Sequence, residues 1–100
     1  MNVPQNFELG GLTIDVVEDN TLVATSGFIG QAIYQYQQIK LDKSASPTES
    51  IEQAFLHELT HWILYMMNEE DLRSNEKFVD LFAHFMYQSL KTSGFKIASA

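Results

Sequence analysis

The chain has 100 residues, 45% of them hydrophobic, which is enough for one compact core over residues 1–100 and leaves no room for a second domain. Six Lys and Arg stand against thirteen Asp and Glu, and a formal net charge of −7 argues against nucleic acid or an anionic membrane surface as partner. The absence of cysteine removes disulfides and thiolate chemistry, while Met1 to Gly11 shows no signal-peptide pattern and no apolar run approaches bilayer length, so the expectation is a soluble cytoplasmic protein.

Residues 1–45 read as mainly β. Leu12, Ile14 and Val16 alternate with Thr13 and Asp15, the period of a half-buried strand, and Glu18-Asp19-Asn20 closes it with turn formers. Leu22 to Thr25 is a second short strand candidate, bounded by the turn signals Gly10-Gly11 and Ser26-Gly27. Gly30 reads as a bulge or bend, because no Gly-rich phosphate-binding motif surrounds it. Ala32 to Leu41, rich in β-branched and aromatic residues, reads as a strand leading into the following helix, with helix as the alternative for Gly30 to Gln38. Tyr34 and Tyr36 then fall on one side of that strand and read as ordinary strand aromatics ahead of a substrate-binding role.

The next helix is well punctuated. Ser46-Pro47-Thr48-Glu49 places a hydroxyl at the N-cap, proline at the first helical position and glutamate three residues after the cap. The helix is expected to begin at Pro47 and to run to about Met67, stopping near Asn68. Its apolar face should carry Ile51, Phe55, Leu59, Trp62, Ile63 and Met66. Glu69-Glu70-Asp71 reads as a solvated loop or first turn. A second helix over 74–93 follows, capped by Ser74 or Asn75. Phe78, Val79, Leu81, Phe82, Phe85, Met86 and Leu90 form its apolar stripe, and Gly94 ends it. The fold class is therefore α+β: a small antiparallel or mixed sheet of about three strands on two main helices.

The first helix contains His57-Glu58-Leu59-Thr60-His61, an H-E-x-x-H sequence. Residues four apart share a helix face, so His57 and His61 can offer two imidazole nitrogens to one Zn2+ ion. Two histidines and a carboxylate leave a position for water, and Glu58 is the candidate general base for that water's attack on a carbonyl. The third ligand is expected at Glu76, in the first turn of the second helix, because a carboxylate further along would be carried away from the histidines. Asp80, one turn later, is placed to accept the free N–H of a ligating histidine and fix its tautomer. Glu69, Glu70 and Asp71 are rival ligands that need a sharp turn back. For stabilising the oxyanion or binding substrate, Tyr65 and His84 are the candidates: Tyr65 shares the His61 face, and His84 lies two turns beyond Glu76.

His57-Glu58-Leu59-Thr60-His61 followed by Asn75-Glu76-x-x-x-Asp80 resembles the gluzincin pattern of zinc metallopeptidases, with a shorter interval of fourteen residues between His61 and Glu76. Over about Gly30 to Leu90 the chain resembles the small phage-associated zincins of the ImmA/IrrE type, which commonly carry Gly where Thr60 stands. The resemblance implies a minimal zincin with one zinc ion and a protein or peptide substrate. It also implies that the edge strand holds an extended peptide by backbone pairing, with Glu58 as general base, and that the compartment is the host cytoplasm if the protein is phage-encoded. The alternative is a catalytically inactive zincin acting as a metal-stabilised protein-binding module, which the presence of Glu58 disfavours.

Overall fold

The computed structural model describes residues 3–44 and 47–94. In chain order the elements are β1 (Asn6–Leu9), β2 (Leu12–Glu18), α1 (Leu22–Ser26), β3 (Gly30–Ile33), a 3-10 turn (Tyr34–Tyr36), β4 (Gln38–Leu41), α2 (Thr48–Met66), α3 (Glu70–Arg73) and α4 (Glu76–Ser93). The result is a mixed four-stranded sheet in the order β1-β2-β4-β3, with β2 and β4 parallel and both outer pairs antiparallel. Helix α2 packs between the sheet and α4. Ile14, Ile39 and Leu41 from the two central strands are fully buried against Phe55 and Trp62 of α2.

The fold is α+β as expected, and its details correct several expectations. The sheet has four strands, where about three were expected. The additional strand, β1, pairs with β2 across Gly10-Gly11, and both glycines take positive φ (57° and 84°), the backbone that a tight two-residue hairpin demands. Phe7 of β1 then meets Phe55 edge-on at 5.8 Å.

The Leu22 to Thr25 segment is helix α1, and its N-terminus is held by acids on both sides of it in sequence. Asp19 Oδ1 accepts from the Thr21 amide and hydroxyl at 3.1 and 2.7 Å, and buried Asp42 Oδ2 accepts from the Val23 amide at 3.0 Å. These bonds outweigh the strand propensity of Val and Thr. Ala32 to Leu41 is likewise divided: the chain turns at Tyr34–Tyr36, Gln37 takes a left-handed conformation, and β3 and β4 pair with Gly30 opposite Leu41 and Ile33 opposite Gln38. That hairpin makes β3 an outer strand with a free edge.

Helix α2 begins at Thr48, one residue later than expected, because Pro47 is extended (φ −61°, ψ 159°). The proposed Ser46 cap lies outside the described residues. The stop near Asn68 is local chemistry: Asn68 takes a positive φ of 59°, and the Glu69 amide returns to the Leu64 carbonyl at 2.9 Å. Thr60 is buried, with its hydroxyl donating to the Leu56 carbonyl at 2.7 Å. Ile63 and Met66, expected on the buried face, are 36% exposed.

Helix α4 is capped by Asn75, whose Oδ1 accepts from the Phe78 amide at 3.1 Å, and Gly94 ends it in a left-handed conformation. Its apolar stripe is wider than its buried face. Val79, Ala83 and Tyr87 are buried, whereas Leu81, Phe82, Phe85 and Met86 are exposed, since a single neighbouring helix covers only one side. Buried Glu52 of α2 accepts from Tyr87 Oη at 2.8 Å and Lys91 Nζ at 3.3 Å, fixing how α4 lies along α2. With α4 held there, its first turn is brought alongside the histidines. Among the described residues no helix is long and apolar enough to cross a membrane.

Candidate metal centre

Helical spacing places His57 and His61 on one side of α2, with ring centroids 4.9 Å apart. The Asn75 cap starts α4 at Glu76, and the Glu76 carboxylate spans the pair. Oε2 is 3.5 Å from His57 Nε2, and Oε1 is 3.3 Å from His61 Nε2. Atoms bound to one tetrahedral zinc at about 2.0–2.2 Å lie about 3.3–3.5 Å from one another, so each histidine has one Glu76 oxygen, a different one for each, at about that separation. One ligand atom from each of the three residues lies within 4.8 Å of the others. Among the described residues this is the one such group, and Glu69, Glu70 and Asp71 are not part of it.

The surroundings suit a ligand role. Asp80 Oδ1 stands 2.8 Å from His57 Nδ1, so the ring proton is held on Nδ1 and the Nε2 lone pair is left toward Glu76. Burial, together with the neighbouring His57, holds the His61 imidazole below its ordinary pKa, so it is neutral and able to donate a lone pair at pH 7. The two histidines are mostly buried, while Glu76 and Asp80 face solvent.

Glu58 is on the same helix but belongs to a different environment. It is buried against β3, where a Cβ added to Gly30 would stand 3.1 Å from Glu58 Cγ and 3.3 Å from Oε2. Burial pushes its carboxyl up to about 7, against a hydrogen bond from the Ala32 backbone, with the charges of Glu76 and Asp80 adding to the rise. A cleft of about 450 Å³ joins His57, Glu58, His61 and Glu76 to Gly30, Gln31, Ala32 and Tyr34. No family model, curated protein or solved structure matches this chain.

The two candidates for oxyanion stabilisation are placed elsewhere. His84 Nδ1 lies 3.1 Å from Gln53 Nε2, and His84 does not line the cleft. Tyr65 is stacked behind Tyr34 at 4.3 Å and is likewise absent from the cleft wall. Sequence reasoning missed Gly30 and Ala32 as parts of the site and ranked Tyr34 as a strand aromatic ahead of a substrate-binding residue. An isolated Gly in a strand is a signal of close backbone approach, so Gly30 was within reach of the sequence. Tyr34 carries no such signal, because its position depends on where the strand breaks.

Proposed function

We propose that this chain is a zinc-dependent peptidase of the zincin type, hydrolysing peptide bonds with Glu58 as general base. One observation carries the reading: His57, His61 and Glu76 present one donor atom each within 4.8 Å of one another, while Glu58 opens onto the same cleft without joining them. Zinc held by these residues would supply a Lewis acid that polarises the peptide carbonyl and acidifies water. The remaining work falls to the protein. Asp80 keeps His57 in the tautomer that offers Nε2. The Glu58 carboxylate takes a proton from water and returns it to the departing amine. The free edge of β3 offers backbone groups to an extended peptide beside these side chains.

The deciding experiment pairs metal analysis of untagged protein with cleavage of casein as a generic unfolded substrate. Wild type is expected to carry one zinc and to cleave. Glu58→Gln should keep zinc and fold while hydrolysis falls by about 100-fold or more, the scale of lost general-base catalysis. Equal cleavage by both proteins would refute the role of Glu58. Zinc without cleavage in wild type would favour the metal-stabilised binding module.

A further inference from the structure

Attack on a peptide carbonyl drives an electron pair onto its oxygen, and a rigid hydrogen-bond donor aimed at that oxygen is worth far more than a mobile one. We propose that the Tyr34 hydroxyl is this donor and that Arg73 is the residue that positions it; the assignment rests on the peptidase reading above. Tyr34 lines the same cleft as His57, Glu58, His61 and Glu76, and it follows directly on β3, whose Gly30, Gln31 and Ala32 form the cleft wall.

The ring is clamped. It meets Trp62 edge-on at 5.1 Å and stacks on Tyr65 at 4.3 Å with an interplanar angle of 11°. Trp62 is itself fully buried, with Nε1 donating to the Gln38 carbonyl at 3.0 Å, so the wall behind Tyr34 is fixed. The Arg73 guanidinium lies 5.0 Å from the Tyr34 ring centroid and 5.5 Å from that of Tyr65, and is tethered by Glu70 at 3.3 Å.

Arg73 therefore lies against the Tyr34 ring as a cation beside an aromatic face, and the two side chains attract one another. A guanidinium has donors only and cannot take the phenol proton, which remains free to donate onward. Burial holds the phenol above its ordinary pKa in spite of Arg73, which keeps it protonated at neutral pH, as a donor must be.

The chemistry balances without a further reactant. A water oxygen adds to the carbonyl carbon and gives its proton to Glu58, while the carbonyl π pair moves onto oxygen and is met by the Tyr34 O–H. The pair then returns to re-form the carbonyl, the C–N bond breaks, and the amine nitrogen takes the proton from Glu58.

The test is Tyr34→Phe, which keeps the ring and its stacking but removes the hydroxyl. In the zinc-loaded protein kcat should fall about 100-fold with KM little changed. The second readout is calorimetric affinity for a phosphinic pseudo-peptide in which PO2−–CH2 replaces the bond cleaved in casein. That affinity should fall by a similar factor while affinity for the product peptide is unchanged. Arg73→Gln should show a smaller loss of the same kind, and Tyr34→Phe/Arg73→Gln should lose little more than Tyr34→Phe alone, since Arg73 acts through the hydroxyl. Wild-type kcat and phosphinate affinity in Tyr34→Phe would overturn the assignment and leave the peptidase reading standing. Failure of the wild type both to cleave casein and to bind phosphinic peptides would remove the peptidase reading and the Tyr34 assignment with it.

Discussion

Replacing Glu58 by Gln is expected to stabilise the metal-free protein at alkaline pH, although it should slow hydrolysis in the zinc form by about 100-fold or more. Burial raises the Glu58 carboxyl from 4.5 to about 7. Because the folded value lies above the unfolded one, Glu58 supports the fold fully below pH 4.5 and loses that contribution as pH rises through about 7. A gap of roughly 2.5 units at about 1.36 kcal/mol each makes the ionised side chain cost the folded state roughly 3 kcal/mol at pH 8. Gln stays neutral and can still accept from the Ala32 amide, so most of that cost should disappear. For a domain of this size about 1 kcal/mol moves Tm by about 4–8 °C, which predicts a rise of about 10–20 °C at pH 8. At pH 5 the advantage should shrink to below about 1 kcal/mol, because the folded carboxyl is then protonated. The assay is thermal and urea unfolding of both proteins in chelator, with metal removal verified, at the two pH values. A Gln variant no more stable than wild type at pH 8, or one whose advantage is the same at pH 5, would show that Glu58 is not held in a desolvating environment.

Asp80→Asn should weaken zinc binding by about 10- to 100-fold without preventing it, since the ligands remain and only the orienting carboxylate is lost; competition with a calibrated chelator measures this, and an unchanged affinity would deny Asp80 its role. His57→Ala, His61→Ala and Glu76→Ala should each lose zinc far more severely, and full zinc occupancy in Glu76→Ala would move the third ligand elsewhere. Chelation should lower the Tm of wild type, because an ion bound only by the folded state ties α2 to α4; identical melting curves with and without metal would contradict this. Gly30→Ala puts a Cβ 3.1 Å from Glu58 Cγ and 3.2 Å from Leu41 Cδ2. Such crowding should cost about 1–3 kcal/mol and reduce cleavage while zinc is retained, whereas wild-type stability and rate would mean that β3 does not press on Glu58.

What the sequence by itself determined is what is encoded within a few residues. The four-residue interval that puts His57 and His61 on one side of α2 is a property of any helix. The Asn68 stop and the Gly94 end depend only on side chain and backbone of adjacent residues and were legible, and of the two caps the sequence offered, Ser74 and Asn75, the structure takes Asn75. The carboxylate that spans both histidines, Glu76, stands in the first turn of α4, where the sequence already placed it.

Elsewhere distant partners outvoted local preference, and only the tertiary structure decided. Leu22 to Ser26 became helix partly because Asp42, far along the chain, accepts from its first turn. Ala32 to Leu41 broke into two strands at Tyr34–Tyr36, so that β4 pairs parallel with β2 and β3 is left at the edge. That break is what delivers Tyr34 to the cleft, and no periodicity of the segment announces it. The apolar stripe of α4 exceeds what one neighbouring helix can cover, and its buried face was set by where Tyr87 and Lys91 reach Glu52. Glu58 makes the same division. Its helix position follows from the sequence, but its desolvation depends on a glycine strand from elsewhere in the chain lying close against it.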